Sequence, residues 1–266
     1  MEKCFNGLTV CNVELTSRCN KNCWMCGRRK IERDYPHLAK WGEMPFEMVE
    51  LIAKQLPPNI LVTLHNNGEP TMYPKLNDAL KLFNKQTRHF GTNAKLLVKK
   101  ADQLIDNMEL LTISVIQDDP EGDEQYEIVK QFLDLKGNKK PYLTYRLLGH
   151  INKKERWEKL PGLTTSRTIH SPMGSFKYRK QPTKPEYGVC LDLLSHLVID
   201  RYGAVSPCVR FDPYRLGVIG DVNETPLVDI WNGPERKEWL DLHLQHKRDQ
   251  VSLCKTCKFW GVARSD

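Results

Sequence analysis

No stretch of this 266-residue chain stays apolar for the ~18 residues that a membrane-crossing helix needs, so no such helix is expected. The opening Met1-Glu2-Lys3-Cys4 lacks the basic and apolar regions of a secretion signal, which makes a cytoplasmic location the expectation. Internal repeats and low-complexity segments are missing, as are the aromatic stacking motifs of RNA-reading modules. The net charge of +7 would tolerate an anionic partner. Yet Lys and Arg are interleaved with Asp and Glu, apart from short clusters such as Arg28-Arg29-Lys30 and Lys99-Lys100. A solvated surface is the better account, and neither nucleic acid nor membrane is an expected partner. At 40% hydrophobic and 27% charged residues, the chain has the composition of a globular protein with a sizeable core.

What it does have is nine cysteines, unevenly placed. Cys19, Cys23 and Cys26 crowd one loop, and Cys190, Cys208, Cys254 and Cys257 lie in the last third. A reducing compartment disfavours a disulfide framework, so seven clustered thiols point to metal. Cys4 and Cys11 fall outside the clusters and read as buried small hydrophobes.

From residue 8 to about 170, β-rich runs alternate with amphipathic helical stretches. Strands are expected at Leu8–Thr16, Ile60–His65, Thr87–Gly91, Leu110–Ile116, Tyr142–Leu148 and Arg167–His170. Helical patterns fall at Pro45–Gln55, Lys75–Lys85, Lys95–Asn107 and Asp123–Lys136. This repetition predicts an α/β fold in which six parallel strands curve into a partial (β/α)6 barrel over residues 1–180. In such folds the chemistry collects at the C-terminal ends of the strands. Residues 171–189 read as a linker or lid. A small second domain, 181–266, is expected to carry a hairpin around Arg201-Tyr202-Gly203, a strand at Leu216–Gly220 and a closing helix at Glu235–Leu244.

Three thiols spaced Cys-x3-Cys-x2-Cys can converge on one metal centre while leaving a coordination position open. A four-iron cluster wants four ligands, and an open position accepts a substrate or cofactor. The segment Glu14-Leu15-Thr16-Ser17-Arg18-Cys19-Asn20-Lys21-Asn22-Cys23-Trp24-Met25-Cys26 resembles the signature of the radical S-adenosylmethionine (SAM) superfamily. The resemblance implies a [4Fe–4S] cluster on Cys19, Cys23 and Cys26, whose fourth iron is chelated by SAM. Met25 stands where the family usually has an aromatic residue, with Trp24 one position earlier. A zinc loop is the competing account.

The resemblance extends to His65-Asn66-Asn67-Gly68-Glu69-Pro70 at the end of the second expected strand. Gly68, Glu69 and Pro70 match the family's Gly-Gly-Glu-Pro, which binds the SAM amino group through backbone and carboxylate, and Asn67 replaces the first Gly. A charge-assisted bond from an ammonium to Glu69 would orient SAM. Asn93 in Thr92-Asn93-Ala94 is either a polar contact near SAM or a turn former. Ser114 matches a position that commonly binds the SAM ribose, or is a Ser satisfied by backbone. Arg146 would meet the SAM carboxylate, pair with a structural acid, or reach the substrate as a proton acceptor. His170 is the other candidate for that proton transfer.

Cys190 and Gly203-x4-Cys208 within a hairpin, Leu216-Gly217-Val218-Ile219-Gly220, Ile230-Trp231 and Cys254-x2-Cys257 resemble the SPASM and Twitch appendages of the same superfamily. Four thiols suffice for one fully ligated auxiliary [4Fe–4S] cluster, the shorter Twitch arrangement. A four-Cys zinc site is the competing account here. The implied cofactors are thus SAM and two [4Fe–4S] clusters. The implied reaction is hydrogen abstraction from a substrate C–H bond by a 5′-deoxyadenosyl radical, with the auxiliary cluster accepting an electron: a two-electron oxidation of a small polar substrate. Modification of a ribosomally made peptide is the alternative reaction, and a zinc-stapled basic nucleic-acid module the non-enzymatic one. An electron donor such as flavodoxin or ferredoxin is an expected partner.

Overall fold

The computed structural model describes residues 4–169, 188–209, 212, 214–255 and 257. His170 and most of the expected linker, including the boundary near residue 180, lie outside the described residues.

A single sheet organises the chain. Its strands are β1 (Val10–Val13), β2 (Leu61–Thr63), β3 (Thr87–Thr92), β4 (Leu110–Ile116), β5 (Tyr142–Leu148), β6 (Leu163–Arg167), β7 (His196–Ile199), β8 (Ala204–Ser206) and β9 (Gly220–Asp221). They lie in the order β6-β5-β4-β3-β2-β1-β7-β8-β9, parallel from β6 through β7 and antiparallel from β7 to β9. Helices α1 (Arg28–Asp34), α2 (Phe46–Gln55), α3 (Leu76–Leu82), α4 (Ala101–Leu104), α5 (Gly122–Lys136) and α6 (Lys154–Glu158) follow β1 to β5 as crossovers. The later helices are α7 (Leu191–Ser195), α8 (Leu227–Trp231) and α9 (Pro234–Leu244).

The two sheet faces differ sharply, because strand side chains alternate. Cys11, Val13, Val62, Leu64, Phe90, Leu111, Ile113, Tyr145 and Leu147 are buried on the helix-covered face with Val49, Ile52, Leu80 and Phe132. Each large apolar side chain buried there contributes ~1.5–3 kcal/mol. The alternate positions carry Asn12, Glu14, Thr63, His65, His89, Thr112, Ser114, Thr144, Arg146, Thr165 and Arg167. A polar face of this kind cannot be core, and it is where a polar ligand would be met.

Several expected elements shift. The sixth strand, expected at Arg167–His170, instead runs Leu163–Arg167. Its single apolar residue hides it from a hydrophobic pattern. The long helix expected over Lys95–Asn107 is only Ala101–Leu104 flanked by turns, with positive φ at Ala94 and Asp106. The strand expected at Leu216–Gly220 reduces to the pair Gly220–Asp221. Cys11 is fully buried as expected, whereas Cys4 is exposed and is held through its backbone carbonyl, which accepts from Asn232 Nδ2 at 2.9 Å.

Candidate cofactor and auxiliary-cluster sites

The three-cysteine loop leaves β1 and is held against its neighbours by backbone as much as by side chains. Gly68 has φ +78, and a Cβ there would lie 2.4 Å from the Thr16 carbonyl oxygen and 2.7 Å from that of Arg18. Only glycine permits both the positive φ and the close approach. The Glu69 N–H then donates to the Arg18 carbonyl at 2.7 Å, stitching the turn to the residue before Cys19.

Glu69 is 2% exposed. Its Oε1 accepts from the Thr71 N–H (3.2 Å), the Thr71 hydroxyl (2.7 Å) and the Thr92 hydroxyl (2.7 Å), and its Oε2 accepts from the Asn93 N–H (2.8 Å). Burial pushes its carboxyl above the usual carboxylate range, and these bonds oppose the shift. Three of these donors fall on Oε1 and one on Oε2, so an ionised carboxylate keeps an acceptor site on Oε2. Glu69 thereby locks the ends of β2 and β3 together.

Asn93 continues the chain of contacts. Its Nδ2 donates to Asn20 Oδ1 at 2.8 Å and lies 3.7 Å from Cys19 Sγ, while its carbonyl accepts from Gln125 Nε2 at 3.0 Å. A second buried carboxylate, Glu14, accepts from the N–H and Nδ2 of Asn67 (3.0 and 2.9 Å) and from the Arg201 N–H (3.3 Å). The Asn that replaces the first Gly is therefore engaged, with a donor that glycine lacks.

The loop's far side is fixed by the segment after β4. Lys21 pairs with Asp119, both side chains nearly fully buried, and reaches Glu121 at 3.5 Å. Lys95 meets Glu121 at 2.6 Å, and the Trp24 indole N–H donates to the Gln117 carbonyl at 3.0 Å. Met25 beside it is half-buried. Burial raises the Cys19 thiol and pushes Cys23 up to about 12, with the neighbouring cysteines adding to both. Among the described residues no three His, Cys, Asp or Glu side chains converge closely enough to hold a metal ion. Thiolates repel one another until a cation draws them in, so convergence and deprotonation come with metal. Three thiols in one loop, held between a Gly–Glu clamp and Asn93, form a donor set that fits a cluster.

In the C-terminal part, the side chain of Cys190 lies close to that of Cys257. Cys254 and Cys257 share a turn whose carbonyls both accept from Arg248 Nη1, at 3.2 and 2.8 Å. Cys208 follows β8, its N–H donating to Ser206 Oγ at 3.2 Å. His243, 1% exposed, accepts the Cys190 N–H on Nδ1 at 3.3 Å, and burial lowers its pKa to about 4. A cavity of 470 Å³ borders Glu14 and Asn67 at one end and Cys208 and Asp212 at the other.

Residues 190–258 match the family model of the SPASM iron–sulfur cluster-binding domain. That match spans all four late cysteines. Over those residues the chain carries a SPASM iron–sulfur cluster-binding domain. A curated relative is the S-adenosyl-L-methionine-dependent 2-deoxy-scyllo-inosamine dehydrogenase of Niallia circulans. It is 24% identical over 260 residues, covering 97% of this chain and 94% of the relative. Among solved structures, BtrN in complex with AdoMet and 2-DOIA superposes with a TM-score of 0.59 at 16% identity, over 95% of this chain and 93% of BtrN. SuiB of Streptococcus suis bound to S-adenosylmethionine gives 0.65 at 14% identity, over 95% of this chain and 72% of SuiB. These likenesses fix the α/β partial-barrel fold, with the polar sheet face as its interior. The matched domain makes an iron–sulfur cluster the group that the late cysteines fit.

Ser114 sits on the barrel interior with its carbonyl accepting from Gln125 Nε2 at 3.0 Å. Arg146 stands beside it in register on β5. The sequence reading passed over His65, His89 and Lys21. For His65 and His89 the signal was available as polar residues alternating with apolar ones along a strand, whereas Lys21 lies in a loop that carries no such pattern.

Proposed function

We propose that this protein is a radical SAM oxidoreductase that dehydrogenates a small polar substrate. The observation carrying this reading is the Glu69 clamp, which joins the Gly68 turn, Asn93 and the Cys19 loop at the C-terminal ends of three adjacent strands, above a polar barrel interior. Alignment with a dehydrogenase over nearly the full length of both chains supports the reaction type.

Cys19, Cys23 and Cys26 would hold the first cluster and Cys190, Cys208, Cys254 and Cys257 the second. Once bound, these groups and SAM supply hydrogen abstraction and a sink for the remaining electron. The protein's own work is positional. Gly68 and Glu69 set the turn against the cluster loop, and Asn93 spans the gap to Cys19. Ser114 offers a hydroxyl at the next strand end, and the segment bearing Asp119 and Glu121 anchors Lys21 so that the loop keeps its shape. Holding one C–H bond near the radical source and keeping water out is worth several kcal/mol of barrier. Arg146 and His170 remain the candidates for proton removal, and flavodoxin or ferredoxin would serve as electron donor.

The test is incubation of reconstituted, reduced protein with SAM and deuterated polyols or amino-polyols. The expected result is 5′-deoxyadenosine carrying substrate deuterium, in proportion to a product three mass units lighter than the labelled substrate. Deuterium transfer only from a peptide would favour the second reading, peptide modification. That reading is supported by the superposition on SuiB bound to precursor peptide SuiA, at a TM-score of 0.64.

A further inference from the structure

The fully buried side chains of helix α9 are both polar, Arg236 and His243. Seven residues apart, they lie two turns from each other and share the face turned towards Cys190 and α7. Arg236 works as a strut. It donates to the Trp231 carbonyl (3.2 Å) and the Leu194 carbonyl (3.1 Å), with its guanidinium over the Trp231 ring. His243 is different. Its Nδ1 accepts the Cys190 N–H at 3.3 Å, and a neutral ring that accepts there carries its proton on Nε2. That Nε2 is enclosed by protein, and among the described residues no atom accepts from it. Buried donors are nearly always paired in folded proteins, so this N–H implies an acceptor that belongs to the loaded site.

The surroundings of the ring say which acceptor. The Cys190 backbone lies against one edge. Arg248, the charged group felt by the ring, grips the carbonyls of Cys254 and Cys257 with Nη1. The Cys190 and Cys257 side chains lie close together, with Trp239 and Leu240 of α9 packed on them, and His243 is one helical turn further on. The ring thus stands among three of the four cysteines in the matched iron–sulfur domain. Thiolates and sulfides bound to iron are acceptors only, so every donor to such a centre must come from the protein.

We propose that His243 donates its Nε2–H to a sulfur of the auxiliary cluster and thereby raises that cluster's reduction potential. The bond from Cys190 to Nδ1 holds the ring and fixes which nitrogen bears the proton. A reduced cluster carries one more negative charge than an oxidised one, so a donated hydrogen bond stabilises the reduced form more. A higher potential favours uptake of the electron left on an oxidised substrate. His243 is a tuning residue that acts through the cluster. The proposal rests on the assignment of Cys190, Cys208, Cys254 and Cys257 to that cluster and is independent of the substrate.

The test is a redox titration of reconstituted full-length protein followed by electron paramagnetic resonance, in which added SAM marks the signal of the first cluster. His243→Asn keeps an acceptor for the Cys190 N–H and has no donor at the Nε2 position. We expect it to lower the equilibrium constant for reducing the auxiliary cluster about tenfold, ~59 mV for a one-electron couple, with iron content and the SAM-sensitive signal unchanged. His243→Gln, which places an amide N–H near the Nε2 position, should recover at least half of the shift. An auxiliary midpoint in His243→Asn equal to wild type at full iron content overturns the proposal. If His243→Asn fails to fold or to hold iron, wild-type protein labelled with 15N in histidine alone decides the matter. A 15N coupling on the auxiliary signal supports the hydrogen bond, and its absence overturns it. A wild-type protein with only the SAM-sensitive cluster overturns the cysteine assignment and this proposal together, whatever the outcome of the dehydrogenation assay.

Discussion

The backbone of Gly68 runs so close to that of Thr16 that an added methyl group would sit 2.4 Å from the Thr16 carbonyl oxygen. This contact joins the turn after β2 to the lead-in of the cysteine loop. Gly68→Ala must therefore push the two apart and also strain a backbone at φ +78. We expect it to bind SAM at least tenfold more weakly and to lose ~1–3 kcal/mol of stability. Isothermal titration and chemical denaturation would read the two effects. Unchanged SAM affinity would show that the turn does not shape the site.

Lys21 and Asp119 form an ion pair with both side chains almost wholly enclosed. Removing one partner of such a pair leaves an uncompensated buried charge, at a cost of ~3–5 kcal/mol. Lys21→Met should lower stability on that scale and speed the loss of iron to a chelator. The double variant Lys21→Met with Asp119→Leu should recover much of the stability. A chelation rate equal to wild type in the single variant would remove the pair from any role in holding the loop.

Replacing Cys208 and Cys254 together with Ala should remove about half of the iron, because one of two clusters loses its ligands. SAM cleavage in the reduced protein should persist while product oxidation falls by at least a hundredfold. Iron analysis with product quantification would check both. Full retention of iron would count against the assignment of Cys208 and Cys254.

Burial and the nearby Arg146 hold the His89 pKa at about 4, against ~6.5 in an unfolded chain. Because the folded state resists the proton, this neutral-His stability is complete above the unfolded pKa. It drains away as pH falls from about 6.5 to 4, at up to ~1.4 kcal/mol per pH unit. Below that window it is lost and adds no further slope. His89→Gln should flatten this part of the stability–pH curve, measured by denaturation midpoints between pH 7 and 4. Parallel curves for the two proteins would show that His89 titrates normally.

Much of the barrel was legible because its outer strand positions are strongly apolar. The spans expected for β4 and β5 coincide with those observed. Leu163-Thr164-Thr165-Ser166-Arg167 escaped because its partners, rather than its own hydrophobicity, make it a strand. The stretch from Lys95 buries Leu97, Ala101 and Leu104 at helical spacing but winds mostly as turns, so periodicity gave its buried face and not its hydrogen bonding. At the site, spacing singled out the cysteines and the Gly68-Glu69-Pro70 turn. The clamp made by Glu69 was invisible, since its donors come from Thr71, Thr92 and Asn93, two of them more than twenty residues away.

The parallel pairing of β7 with β1 gives the SPASM segment a task apart from its cysteines. Val10 to Val13 would otherwise present a bare row of amide and carbonyl groups at the rim of the barrel, a template for sticking to other chains. A protein cut short before residue 190 should for that reason clump during expression even when supplied with ample iron, and the last quarter of the chain doubles as the barrel's solubilising edge guard.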